Sequence, residues 1–375
     1  MIHRLLLGLL IVVALPNLCM ADEPLSIDHE FIGQLSATPN EWLLRDLAKA
    51  GSAGEHVGPL VIKLLDHEDW RIRLAAARTL GFIGHAGAVE PLIKRLDDPT
   101  DVRINWIAAQ SLGRLQALAA LPALRRVADS HWYPPVQMEA AAAIEHIELR
   151  KDDESRPSVS FPFEFFAFQH IGTPHLDCRK PAIGKSLVPR DQKLYASKSP
   201  EALEQLTISV IETSSDELQE IVPDSDTPSK RQPKNEDPNV REEEVQYLPT
   251  VALRVAKGWI VGSNRGEWGG ELAFRSDDGA TQLLKYKNVE DIYFLGEQVI
   301  VLTGLAHLSS NNGVVYVVEQ QSSGEWSARP WRGLPGAPMS SWLTESGEVL
   351  INTANGGTVL LHPSGTFRVA PCLDP

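Results

Sequence analysis

Small and aliphatic positions recur along the first third of the chain with a period of 32 residues. Leu60, Leu92 and Leu124 share one phase, and Ala76, Ala108 and Ala140 another. Ala77, Ala109 and Ala141 follow, then Leu80, Leu112 and Ile144, then Ile83, Leu115 and Ile147. A fixed period of this length signals stacked supersecondary units. Within a unit the apolar spacing is helical. Glu55–Leu65 carries Val57, Leu60, Val61, Leu64 and Leu65, a polar turn follows at Asp66–Asp69, and Arg71–Phe82 aligns Ile72, Ala75, Ala76 and Leu80, with Ile83 just beyond. The second unit repeats this as Glu90–Leu96, Asp97–Asp101 and Val102–Leu115. Gly81, Gly84 and Gly113 fall near helix ends, where a left-handed residue is favoured. The paired alanines allow close helix approach and good dispersion contact. The pattern predicts three stacked antiparallel helix pairs over 55–150, with a further helix at Asn40–Ala50 (Trp42, Leu43, Leu44, Leu47) capping the stack.

Beyond residue 150 the periodicity changes. Phe161, Phe163 and Phe165 alternate, as in a strand packed on one face. Ser214–Gln246 is rich in Ser, Asp, Glu, Pro and Lys, with Pro223, Pro228, Pro233 and Pro238 evenly spaced, and reads as a linker or long loop. After it, three glycines recur in order in three units: Gly258, Gly270 and Gly279; Gly296, Gly313 and Gly324; Gly347, Gly357 and Gly365. Each first glycine separates two strand-like runs, each second opens another strand, and each third lies in a polar turn. The period is 41–45 residues, measured on the third glycine. Two hairpins per unit at that spacing resemble β-propeller blades. Three blades do not close a ring, so 159–176 and 205–212 would have to supply further strands; a twisted sandwich or open barrel is the alternative. The expected fold class is multidomain α + β: an N-terminal α-helical solenoid and a C-terminal antiparallel β domain resembling a partial propeller. The expected divisions are 1–21, 22–150, 151–250 and 251–375.

Pro59-Leu60, Asp66, Ile72-Arg73, Ala76-Ala77, Leu80-Gly81 and Ile83-Gly84 resemble the short HEAT repeat of the phycocyanobilin-lyase type. Pro91-Leu92, Asp98, Val102-Arg103, Ala108-Ala109 and Leu112-Gly113 resemble it again. In the third unit Val136-Gln137 replaces Val-Arg and Glu145 replaces glycine, which fits a terminal, capping repeat. The resemblance covers about 55–150. It implies a fold rather than an activity, because such repeats serve scaffolds, inhibitors and enzyme accessory domains alike.

The first residues bear on location. His3 and Arg4 precede the apolar run Leu5–Leu15, Pro16 breaks it, and Cys19-Met20-Ala21 offers small residues before Asp22. This reads as a cleavable signal peptide at 1–21 and places the mature chain in the periplasm or outside the cell, with no membrane insertion after cleavage. The run is too short for a spanning helix. Of the three cysteines, Cys19 would leave with the leader, and Cys178 and Cys372 would remain as a disulfide pair in an oxidising compartment; two buried thiols are the alternative.

Formal net charge is −14, and the acid is dispersed. No segment is basic, so nucleic-acid binding lacks its electrostatic driver. An acidic surface suits solubility or a basic protein partner. Chemical signatures are sparse. Gly184-Lys185-Ser186 has the tail of a phosphate loop, but Arg179 stands where the leading glycine belongs. His170, His175, Asp177 and Cys178 match no zinc spacing, so no metal or cofactor is expected. The loop Ser263–Gly270 gathers Arg265, Glu267 and Trp268, groups that can hold a sugar, peptide or basic side chain; Trp268 plugging the sheet end is the alternative. Gly304–His307 and Arg329–Arg332 are secondary candidates. The sequence therefore favours an exported interaction or scaffold protein, with an inhibitor or immunity-type role as a special case. An enzyme of unrecognised type on the β domain and a structural envelope component remain as alternatives.

Overall fold

A computed structural model describes residues 27–151, 193–196, 206, 208–210, 245–308 and 310–371. The signal-peptide segment, the Phe161–Phe168 run, the His170–Cys178 cluster and both Cys178 and Cys372 lie outside these residues.

Eight helices fill the first part: α1 (His29–Ala37), α2 (Glu41–Lys49), α3 (Gly58–Lys63), α4 (Trp70–Ile83), α5 (Val89–Arg95), α6 (Val102–Arg114), α7 (Leu121–Ser130) and α8 (Pro134–Lys151). Asp28, Asn40, Asp69 and Asp101 cap α1, α2, α4 and α6 by accepting a first-turn N–H. The expected pairs form as α3/α4, α5/α6 and α7/α8, and α2, α4, α6 and α8 pack in sequence order. The first helix of the first unit is shorter than expected, with 3₁₀ turns at Gly51–Val57 and Leu64–Asp66 on either side of α3. Helix α1 carries none of the repeat phases, and its Phe31 and Leu35 join the same core.

The small residues stack one unit on the next. A Cβ at Gly81 would stand 2.7–2.8 Å from Ser111, and one at Gly113 would stand 3.2 Å from Ala143. These two glycines therefore serve close helix crossing; only Gly84 ends its helix in the left-handed region, at φ 73°. Thr79 and Ser111, one period apart, donate their hydroxyls to Leu44 O (2.8 Å) and Ala77 O (2.9 Å) on the preceding helix of the row. A second position one period apart holds the turns. Arg73 Nη1 donates to His67 O and Glu68 O (both 2.8 Å), Asn105 Nδ2 to Arg95 O (2.7 Å) and Asp98 O (3.1 Å), and Gln137 Nε2 to His131 O (2.5 Å). Asn105, not Arg103, is thus the structural counterpart of Arg73.

The second part is built of antiparallel sheets. One has the order β1 (Lys193–Tyr195), β4 (Val251–Val255), β5 (Gly258–Gly262), β6 (Leu272–Ser276), β7 (Thr281–Lys285), given that β2 (Ile208–Val210) and β3 (Val245–Tyr247) pair separately. The next sheet comprises β8 (Val289–Leu295), β9 (Gln298–His307), β10 (Ser310–Gln320) and β11 (Trp326–Leu334). The last comprises β12 (Pro338–Leu343), β13 (Val349–Thr353), β14 (Gly357–Leu361) and β15 (Phe367–Val369). Each expected unit is thus a four-stranded meander, but none of the sheets closes into a ring among the described residues. The expected extra strand within 205–212 forms as β2, yet among the described residues it pairs only with β3. Strand β3 also takes up the end of the expected linker.

The glycine roles divide. Gly279, Gly324 and Gly365 sit in turns at φ 95°, 92° and 84°, as their polar settings suggest. Gly313 lies inside β10 rather than at its start, and its need for glycine comes from Gly336, whose O would stand 2.3 Å from a Cβ there. Lys257, not Gly258, takes the left-handed turn between β4 and β5.

Replacing Gly81 by Ala would favour an isolated helix by about 1 kcal/mol. In this stack, contact with Ser111 should reverse the sign and destabilise the protein by about 1–2 kcal/mol, and Ala76→Leu or Ala108→Leu by roughly 1–3 kcal/mol. Chemical denaturation of the three variants checks this, and unchanged midpoints would show the crossings to be loose.

Candidate functional site

The turn edge of the helical stack meets the sheets, and every repeat contributes at its second-helix N-terminus. In the first repeat Trp70, the first residue of α4, packs among the apolar side chains of the first two sheets. In the second, Gly333 of β11 donates its N–H to Thr100 O (2.7 Å) and sits against Asp101, where a Cβ would stand 2.3–2.5 Å from the carboxylate. In the third, Tyr133 donates its hydroxyl to Gly356 O (2.9 Å), and Trp132 stacks on Phe367 at 5.6 Å.

The repeated Asp-x-Arg motif at these caps has two environments. Asp69 binds Arg71 at 2.6 Å in a partly buried setting, with the side chains 22% and 23% exposed. One period later, Asp101 binds Arg103 Nε (2.8 Å) and Nη2 (2.7 Å) and accepts the Arg103 N–H (3.0 Å). Here the side chains are only 1% and 2% exposed, for Arg103 and Asp101 respectively. The Arg103 guanidinium lies 4.0 Å from the Trp70 ring centroid, a cation–π contact shielded from water.

Trp70 stands between two cavities. The larger, about 360 Å³, is lined by the turn residues His67, Arg73, Arg95, Asp98 and Arg103 and by Pro330, Trp331 and Arg332 of β11. Three residues of the Arg329–Arg332 segment singled out in the sequence therefore stand in its sheet-side wall, and Arg329 pairs with Glu319 instead. Burial holds the Arg332 guanidinium below its usual basicity. The smaller cavity, about 100 Å³, is lined by Arg71, Glu267, Tyr286, Lys287 and Leu305 among others.

The structure places Arg265, Glu267 and Trp268 on one tight turn, with Gly266–Trp268 forming a 3₁₀ helix. Asn288 pins this turn by accepting the Arg265 N–H (3.1 Å) and donating to Gly266 O (2.6 Å). Glu267 reaches His307 of β9 at 2.8 Å, which joins two candidate segments of the sequence. Glu267 lines the smaller cavity and Arg265 and Trp268 do not; the Trp268 side chain stands 54% exposed. Trp268 therefore does not plug the sheet end.

A buried polar cluster escaped the sequence. Lys193 Nζ lies 2.6 Å from Asp291 Oδ1. Tyr195 (3.1 Å) and Tyr293 (2.5 Å) both donate to Asp291 Oδ2, and Ser341 sits 3.0 Å from the Tyr293 hydroxyl. Burial and then the Asp291 charge push both tyrosines far above the usual phenol range. The five residues come from β1, β8 and β12 and span some 150 positions, so no local pattern announces them. Next to the cluster, burial followed by the Asp291 charge raises Glu290 to about 7.

Residues 42–108 and 57–145 match the HEAT-repeat family profile. No curated protein matches the chain in sequence. Among solved structures, a human deoxyhypusine hydroxylase in complex with glycerol is similar at 21% identity and TM-score 0.29, over 34% of this chain and 46% of that one. An engineered protein is similar at 23% identity and TM-score 0.27, over 32% of this chain and 61% of that one. This chain thus spans less than two thirds of either. The N-terminal part carries HEAT repeats, and no helix among the described residues is long and apolar enough to cross a membrane.

Asp101→Ala removes a cap and leaves the Arg103 charge buried without its partner. It should cost about 3–5 kcal/mol, whereas Asp69→Ala, at a partly exposed pair, should cost less, about 1–2 kcal/mol. Equal losses in a melting comparison would contradict the difference in burial. A second test uses pH. With its folded pKa near 7, against 4.5 for the free group, Glu290 holds its proton longer folded than unfolded. Stability from this group therefore falls as pH rises from about 4.5 to 7. Glu290→Gln should be more stable than the parent at pH 8, with the gain gone at pH 4; a gain independent of pH would contradict the assignment.

Proposed function

We propose that this is an exported interaction protein, in which HEAT repeats and sheets act as one body to hold a partner. Inhibitor and immunity-type roles are special cases. The observation that carries the reading is the wedge between the helix turns and β11. It draws one wall from each part and is lined by Trp70, Trp331 and four arginines. Trp and Arg are the side chains that most often concentrate binding energy. HEAT repeats commonly build extended recognition surfaces, which supports the same reading. Export is supported by the basic start, apolar run and small-residue site at 1–21.

Affinity capture from the native host's envelope fraction should recover a partner with the parent chain, and recover at least fivefold less with Trp331→Ala at matched folding. Equal recovery would move the binding surface elsewhere. Mass analysis of the native protein should give an N-terminus near Asp22; an intact Met1 on cytosolic protein would defeat export.

A further inference from the structure

We infer that the 360 Å³ pocket beneath Trp70 is a site for a small organic oxyanion, a carboxylate or phosphate ester. The inference builds on the wedge as the recognition element.

Two arginines of the pocket wall carry donors that the fold leaves unused. Arg103 spends Nε and Nη2 on Asp101, while its Nη1 is buried and has no hydrogen-bond partner. Arg95 engages Asp98 (3.1 Å) and Asp66, yet its Nε is likewise buried without a partner. A buried, unsatisfied guanidinium N–H is costly, and an acceptor that drew either side chain toward the cavity would relieve that cost. Oxyanions are the acceptors that match a guanidinium fork.

The wall's formal charges balance, four arginines against Asp66, Glu68, Asp98 and Asp101, but the arginines are unevenly committed. Of the four arginines in the wall, Arg95 and Arg103 already have carboxylate partners. Arg73 and Arg332 have none within ion-pair distance among the described residues; they donate instead to backbone carbonyls. The wall's carboxylates do not offset these two equally. Asp66, Asp98 and Asp101 are held by Arg95 and Arg103, while Glu68 stands exposed. Trp70 and Trp331 give apolar surface for a carbon skeleton. The volume lies at the lower end of the range for small-molecule sites, more than a bare ion needs.

The third repeat suggests the variant for the test. Gln137 does for its turn what Arg73 does for the first, donating to a turn carbonyl without charge. Arg73→Gln therefore removes the charge while keeping a turn-holding donor. Titration calorimetry on the full chain, with succinate and glycerol 3-phosphate against sodium chloride at equal ionic strength, should show one site for at least one probe. The stronger probe distinguishes carboxylate from phosphate. Binding should weaken at least tenfold in Arg73→Gln and in Arg332→Gln, which gives a second reading if either variant folds poorly. Failure of both probes to bind above the chloride background overturns the inference, as does equal binding by the parent and both variants. Partner capture is scored separately. Anion binding without capture leaves this inference standing and removes the interaction reading, and capture without anion binding does the reverse.

Discussion

The buried Asp101–Arg103 pair is the interaction on which the meeting of helices and sheets depends. Isolated charges are too costly to bury, and a pair is tolerated only with good geometry and further hydrogen bonds. Asp101 has both: a bidentate guanidinium, the Arg103 N–H and a place at the N-terminus of α6, where the helix dipole favours a carboxylate. On the sheet side only glycine fits against it, at Gly333. On the helix side the same guanidinium covers Trp70. One residue thus caps a helix, neutralises a buried cation and seats β11. Removing the sheets would expose this pair to water and reduce it to the more open arrangement of Asp69 and Arg71.

The helical stack was legible because its physics is local and repeated. Alanine and glycine at fixed phases are what closely crossing helices require, and the period exposed them. The same signal misled where one residue type serves two ends. Val102-Arg103 resembles the repeat motif, but register and hydrogen bonding give the turn-holding role to Asn105. Helix α1 has no periodic partner and could not be read from the repeat. In the sheets, strands and polar turns followed from alternation and Gly279, Gly324 and Gly365. Gly313 was misplaced because its requirement is set by Gly336, a neighbour in space.

The junction itself could not be read from the chain. Tyr133 and Gly356, or Lys193 and Asp291, are brought together only by the packing of sheets and turns. Arg329–Arg332 stands out in the chain as an aromatic-basic segment, and Glu267 and His307 stand out in separate segments. The convergence of Pro330, Trp331 and Arg332 with His67, Arg73 and Arg95 on one wedge, and the meeting of Glu267 with His307, are tertiary facts. The shared wedge links fold to function: its walls keep their spacing only while the helix turns stay docked.

Amide hydrogen exchange at Gly333 tests that docking most directly. Its N–H donates to Thr100 O across the junction, on the face of β11 turned to the helices. If helices and sheets form one body, this amide should exchange only as slowly as global unfolding allows, together with the core amides of β10. Exchange at the rate of an open turn, while β10 stays protected, would show the two parts to be separable and would contradict the account.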